Sequence, residues 1–206
     1  MKDPAIKWRR RFWAVLAAWL VVTVATSFEP VRGWLIRPLY VHDEDAKGEI
    51  AYVMADGPAY WERLHAASDL YHMHRIGEIY VLHEDRASGY DFERHQTSMR
   101  IERVIDFLGL YDVPKEKIHS VPIRPDDKLS SLSEAVSLSE LPRKFSSIVV
   151  VTSPPHTRRS LMCFRRTFGD EVKITVYSAA LPGHSDETFF PIWIEYVKLV
   201  VYWFAT

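Results

Sequence analysis

The stretch SSIVVVTSPPHTRRSLMCFRR, Ser146 to Arg166, reads in three parts. An unbroken β-branched run, Ile148 to Val151, climbs to the hydroxyl pair Thr152-Ser153. Pro154, Pro155 and His156 interrupt it, and a basic segment with helical spacing follows. A continuous apolar run of this kind belongs to a strand covered on both faces, the habit of parallel sheets. A strand passing through a short polar loop into a helix is half of a βα unit.

Outward from that unit the same alternation recurs. Glu49–Ala55 reads as a strand broken by Asp56-Gly57-Pro58. Ala59–Ile76 reads as a helix with Trp61, Leu64, Ala67, Ser68 and Tyr71 roughly along one face. Glu78–Glu84 is a second strand, and Arg94–Leu110 a second helix with Met99, Ile101, Val104, Ile105 and Leu108 on its apolar side. A turn and short strand over Asp112–Ile123, a helix over Ser130–Leu141, the strand Ser147–Ser153, the helix His156–Phe168 and the strand Val172–Ala179 complete the series. Strands separated by helices of this length predict an α/β domain, a Rossmann-like and mostly parallel sheet flanked by helices, over residues 48–206.

The chain has 206 residues, which suits one domain of about 150 residues plus an additional part. A hydrophobic content of 48% supports a real core and excludes a disordered chain. The formal net charge of −1 argues against a general nucleic-acid binder. The single cysteine, Cys163, excludes an internal disulfide; it fits a reducing compartment without requiring one.

The additional part is N-terminal. Lys2, Lys7, Arg9, Arg10 and Arg11 precede the uncharged run Phe12–Phe28, at the short end of the roughly 17–25 apolar residues that cross a bilayer. Trp8, Trp13 and Phe28 lie near its ends, where interfacial aromatics are favoured. The organisation expected is a basic cytoplasmic segment 1–11, a single transmembrane anchor 12–28, a proline-containing linker 29–47 and the main domain. The positive-inside rule keeps the N-terminus in the cytoplasm and puts the domain on the far side of the inner (plasma) membrane. A cleaved signal, with Ala25-Thr26-Ser27 as its small-residue site, and a buried helix are the competing readings.

At the other end, Phe189–Phe204 has Pro191 suited to a first helical turn and a narrow polar stripe of Glu195, Lys198 and Tyr202 in an otherwise apolar segment. It is either a terminal helix packed deeply against the sheet or an interfacial or partner-facing helix. With Glu195 and Lys198 inside so short a run, it does not make a second membrane span.

Ligands in open α/β sheets bind beyond the C-terminal ends of the strands. That rule gathers Asp56-Gly57, then His83, Glu84 and Asp85, then Arg124, Asp126, Asp127, Ser130 and Ser131, then Thr152, Ser153, His156, Arg158 and Arg159. Hydroxyls at a strand end and free amides at a helix start both favour an anion, and arginine adds a planar donor fork. Arginines in a first helical turn oppose the macrodipole by about 0.3–1 kcal/mol each, which a bound anion would offset. Arg158, Arg165 and Arg166 are read as solvated or paired with acids, His156 and Arg159 as functional.

The same span carries a resemblance. VVVTSPPHTRRS is similar to the V-T-S-x-x-H-x-x-R-A segment of the YdcF/SanA/ElyC family, Rossmann-like proteins often tethered to the bacterial inner membrane. ERLHAASDLY resembles that family's first helix, with Arg63 at the place of a family arginine. LGLYDVPKEKI resembles its G-V-P-x-x-x-I turn, and SSLSEAVSL occupies the place of N-T-x-E-N-A, with Ser131 matching the threonine as a hydroxyl. The matches run in order over about residues 49–180. Departures are a first-strand glycine loop reduced to ADG, HED in place of Ser-Gly-Gly after the second strand, and Glu134 in place of the asparagine. The resemblance implies a role in cell-envelope maintenance. It suggests S-adenosylmethionine for one branch, disfavoured here by the lost glycines.

Metal is weighed in two places. His65 and His72 are seven residues apart on a helix, not the four usual for zinc, and read as surface histidines. Asp56, Glu84, Asp85, Asp127 and His156 together would suit a divalent ion, which would also reconcile acidic loops with an anionic ligand. The cofactor therefore stays open between a divalent metal, S-adenosylmethionine and none. Cys163 reads as a buried, inert thiol.

The function expected is a membrane-anchored domain binding a small or lipid-linked anion, phosphate-bearing or nucleotide-like. His156 would be the general acid–base, Arg159 and Arg63 would clamp charge, and Thr152, Ser153, Ser131 and Asp56 would line the site. Phosphoester hydrolysis or transfer is the matching chemistry. The alternative is a non-catalytic envelope assembly protein that works through its anchor and a protein partner at the aromatic C-terminal helix.

Overall fold

A computed structural model describes residues 4–55, 57–92, 95–123, 131–189 and 192–205. In chain order the helices are α1 (Pro4–Ser27), α2 (Glu29–Ile36), α3 (Tyr60–His72), α4 (Arg100–Leu110), α5 (Ser131–Ser139), α6 (Thr157–Phe168) and α7 (Ile192–Ala205). The strands are β1 (Ile50–Val53), β2 (Glu78–Leu82), β3 (Ala87–Asp91), β4 (Gln96–Met99), β5 (Ile118–Val121), β6 (Ser147–Thr152) and β7 (Lys173–Ser178).

Five strands form one parallel sheet in the order β5-β2-β1-β6-β7. β1 lies between β2 and β6, with Ile50 opposite both Glu78 and Ile148, and Val53 opposite both Val81 and Val151. Alternate residues feed two cores, because side chains on a strand point to opposite faces. Ala51, Val53, Ile79, Val81, Val149 and Val151 pack with Leu64, Leu70, Val104 and Leu108 from α3 and α4. Ile50, Tyr52, Ile148 and Val150 pack with Ala135, Leu138 and Phe164 from α5 and α6. Each fully buried leucine or valine contributes about 1.5–3 kcal/mol of apolar transfer. The α/β class and parallel sheet expected from the alternation are present.

Three segments differ from the expectation. The helix read from Arg94 begins at Arg100, because Gln96–Met99 pairs antiparallel with Ala87–Asp91 as a separate two-stranded unit. The Glu102 carboxylate accepts the Met99 amide at 2.8 Å and so starts α4 there. Gln96, Thr97 and Ser98 are polar with no alternation, so nothing in the pattern announced a strand. The segment 29–47, read as a linker, opens with α2. Arg32 closes the bend before it, donating to the last carbonyls of α1, Thr26 (3.1 Å) and Ser27 (2.7 Å), and to Gly183 (3.3 Å). Among the described residues no single helix is long and apolar enough to cross a membrane; residues 7–27 and 29–36 pass together, bent by 91°. Third, α7 is not packed deeply: Trp193, Trp203 and Phe204 are 66%, 63% and 84% exposed.

Candidate functional site

The strand order places β1 and β6 side by side, and the chain's winding reverses between them: β2 and β5 extend one way from β1, β6 and β7 the other. Such a switch point leaves a crevice at the C-terminal strand ends. Met54 and Ala55 leave β1 there, and Ser153 follows Thr152 at the end of β6. A cavity of about 510 Å³ opens at this point, with Arg63, Ser131, Glu134, Thr152, His156, Arg159, Glu187, Glu195, Lys198 and Tyr202 in its wall.

Arg63 reaches it from α3, only 2% exposed. Its Nη1 donates to the carbonyls of Met54 (2.9 Å) and Ala55 (3.0 Å), just past the end of β1. Its Nε donates to Ser153 Oγ at 2.8 Å, and its Nη2 to Glu187 Oε1 at 2.6 Å. Arg63 thus stitches β1, β6 and the Glu187 turn together. Gly57 sits against this pair with φ +87°, and a Cβ there would stand 1.9 Å from Glu187 Oε1. Only glycine fits both the backbone and the space.

His156 ends the 3₁₀ turn Pro154–His156, whose entry is held by the His156 amide donating to the Ser153 carbonyl. Thr157 pins the start of α6: its hydroxyl accepts the Val41 amide at 2.8 Å and lies 3.1 Å from the Leu39 carbonyl. The imidazole is held between two carboxylates, Nδ1 at 2.9 Å from Glu195 Oε2 and Nε2 at 2.9 Å from Glu187 Oε2. The second contact is an ion pair by distance, although Glu187 Oε2 has no well-directed hydrogen bond. A carboxylate can only accept, so a ring nitrogen that carries a proton has a carboxylate to donate to, and Arg159 Nη2 lies 3.2 Å from Nδ1.

Glu195 comes from α7 and is surrounded by cations. Its Oε2 also takes Arg159 Nε (3.3 Å) and Nη2 (3.2 Å), and its Oε1 takes Lys198 Nζ at 2.6 Å. Arg159 is steadied by Ser131, whose Oγ accepts Nη1 at 2.5 Å, and its guanidinium lies 5.6 Å from the Tyr202 ring centre. Burial pushes both carboxyls up, but the His156 contact and the neighbouring arginines outweigh it. Glu187 is held down to about 2, and Glu195 well below the usual carboxylate range.

Glu134, in the first turn of α5, behaves oppositely. Fully buried, it accepts the Tyr52 hydroxyl (3.0 Å) and the Ala55 amide (2.9 Å) on one oxygen. Burial dominates those bonds and the distant pull of Arg63 and Arg159, and raises its carboxyl to about 7. The wall therefore carries Arg63, Arg159 and Lys198, with the His156 imidazole, against two firmly ionised carboxylates and a third that burial biases towards its neutral form. Anions are favoured there.

Of the residues singled out in the sequence, Arg63, Ser131, Thr152, His156 and Arg159 line this one cavity, and Ser153 holds Arg63 from behind. The Thr152 hydroxyl is buried with no hydrogen-bond partner among the described residues. Asp56, Arg124, Asp126, Asp127 and Ser130 lie outside the described residues. Glu84 does not join: it lies 2.5 Å from Arg100 Nε and 3.6 Å from Arg86 Nε. Among the described residues no group of three or more His, Cys, Asp or Glu side chains is placed to hold a metal ion. Arg158 and Arg165 are exposed, and Arg166 donates to the Tyr202 and Trp203 carbonyls at the end of α7. Cys163 is buried, and burial raises its thiol to about 11.

Sequence reasoning missed Glu134, Glu187, Glu195 and Lys198 as site residues. The polar stripe Glu195-Lys198-Tyr202 was the available signal for α7, since all three face the cavity. Nothing local marks Glu187.

No family model and no curated protein matches the chain. Among solved structures, the HAD domain of effector protein Lem4 from Legionella pneumophila is similar at 10% identity, covering 77% of this chain and 96% of that one, with a TM-score of 0.36. An inactive mutant of the same domain gives 10% identity, 75% and 93% coverage and a TM-score of 0.35. Likeness at that level carries no argument about chemistry.

Proposed function

We propose that the chain binds a small anion of the phosphate or phosphoester class in the β1–β6 cavity, and that α1 holds the domain at a membrane. The observation that carries this reading is the convergence of Arg63, His156 and Arg159, from α3, a 3₁₀ turn and α6, on one cavity at the sheet's switch point. Arg159 is the ligand-facing cation on the sheet side of the cavity and Lys198 faces it from α7, while the donors of Arg63 go to the strand ends and Glu187. His156 is the group placed to move a proton if the anion is hydrolysed or transferred. The resemblance to the YdcF/SanA/ElyC family, whose ordered motifs over about residues 49–180 include these three residues, supports an extracytoplasmic role in envelope maintenance.

A second reading, an assembly protein docking through its C-terminal helix, is favoured by the exposed Trp193, Trp203 and Phe204. The two are separated by melting the full chain in neutral detergent with phosphate, phosphomonoesters and S-adenosylmethionine, with and without divalent ions. A ligand at 100 times its dissociation constant adds about 2.7 kcal/mol. A shift that disappears in a folded Arg159→Ala variant supports the anion site; no shift with any of these ligands sinks it.

A further inference from the structure

The basic side chains of the cavity are not waiting bare. Arg159, His156 and Lys198 surround one carboxylate oxygen pair, that of Glu195, at 2.6–3.3 Å. Arg159 meets one of these oxygens and Lys198 the other, the places that two oxygens of a phosphate would take on the same donors. We propose that Glu195 is an internal stand-in for the anion, and that α7 is a displaceable arm whose carboxylate leaves the cradle when an anionic ligand enters. The inference rests on the anion-site reading above and adds the regulation of that site.

The packing of α7 supports displacement. Helices ordinarily dock by burying an apolar stripe. Here Glu195 is the one buried side chain among those described in α7, while Trp193, Val197, Val200, Trp203 and Phe204 are all more than half exposed. Ile192, Ile194 and Leu199 are only half-buried, so a helix whose one buried side chain is an ion-paired carboxylate is more readily unseated by a competing ion than one seated by a buried apolar stripe.

The cradle also survives the departure of Glu195. Ser131 holds Arg159 from the far side, and Glu187 holds the other face of His156. Lys198 travels with α7. Two further ties lie away from the cradle and keep the helix close: the Tyr196 hydroxyl donates to the Leu35 carbonyl at 2.5 Å, and Arg166 donates to the Tyr202 and Trp203 carbonyls. The exchange is then local, one anion replacing another on preset donors.

The test is calorimetric titration of the full chain, in neutral detergent, with inorganic phosphate and glycerol phosphate. Glu195→Gln should bind at least tenfold more tightly than the unaltered chain, because the competitor's charge is gone and the side chain's volume is kept. Tyr196→Phe, which loosens the α2 tie without touching the cradle, should also bind more tightly. In the unaltered chain, saturating phosphate should speed amide hydrogen exchange across residues 192–205. If the unaltered chain binds phosphate and neither variant gains affinity, the inference is overturned, and Glu195 is a fixed positioning residue for His156. If Glu195→Gln does not fold, Tyr196→Phe and the exchange experiment decide alone. If neither the unaltered chain nor a folded variant binds either anion, the anion-site reading falls and takes this inference with it.

Discussion

Arg63 Nη2 lies 2.6 Å from Glu187 Oε1, and both side chains are almost wholly out of water. The pair joins α3 to a turn 124 residues later, and through it α7 and the sheet ends share one ionic cluster. Removing one partner of a buried pair leaves an uncompensated charge, which costs about 3–5 kcal/mol. Arg63→Ala should lower stability by that amount in chemical denaturation. The double variant Arg63→Ala/Glu187→Gln should lose less than the sum of the two single changes; strict additivity would show that the pair does not act as one.

Gly57 is the tightest point of the site. Gly57→Ala meets both a left-handed backbone, costing about 1–3 kcal/mol, and a Cβ placed 1.9 Å from Glu187 Oε1. The expected result is a lower melting temperature together with weaker phosphate binding, because Glu187 must move and His156 loses its support. An alanine variant with unaltered melting and binding would contradict the geometry.

Glu134 sets a stability change near neutrality. Its folded value, about 7, lies above the ordinary 4.5. Between those values the folded chain retains a proton the unfolded chain has lost, so stability falls as pH rises through that window, and the penalty is complete above pH 7. Gln keeps an acceptor for the Tyr52 hydroxyl and the Ala55 amide and cannot ionise. The melting advantage of Glu134→Gln over the unaltered chain should therefore be larger at pH 8 than at pH 5. A difference independent of pH would refute the shift.

Glu187 and Glu195 act in the opposite sense in acid. Both are held below the ordinary 4.5, Glu187 at about 2. Below pH 4.5 the unfolded chain takes up protons that the folded chain still refuses. Their contribution is thus complete above pH 4.5 and is lost as pH falls towards 2. Melting temperature should drop steeply from pH 5 to pH 3, and Glu187→Gln should flatten that slope while lowering the plateau. An equally steep slope in the variant would show that other groups carry the acid lability.

Much of this was legible residue by residue. The apolar run Ile148–Val151 and the helical spacing after it announce a parallel βα unit, and the rim rule then names Thr152, Ser153, His156 and Arg159. What escaped was structure without a local signature. Gln96–Met99 is a strand only because Ala87–Asp91 is there to pair with it. The segment after Phe28 is helical because Arg32 finds the carbonyls of Thr26, Ser27 and Gly183.

The sequence by itself determined the parallel α/β architecture, the two buried faces of each central strand, and Arg63, His156 and Arg159 of the site. Strand periodicity and helix-start chemistry are local properties, set by residues two to four apart. Only the tertiary structure decided that Lys198 joins them and that Glu187 and Glu195 complete the site. Their approach to His156 depends on how α7 and the turn before it lie across the β1–β6 crevice, and ion pairs between residues 31 and 39 positions apart leave no periodic trace in the chain.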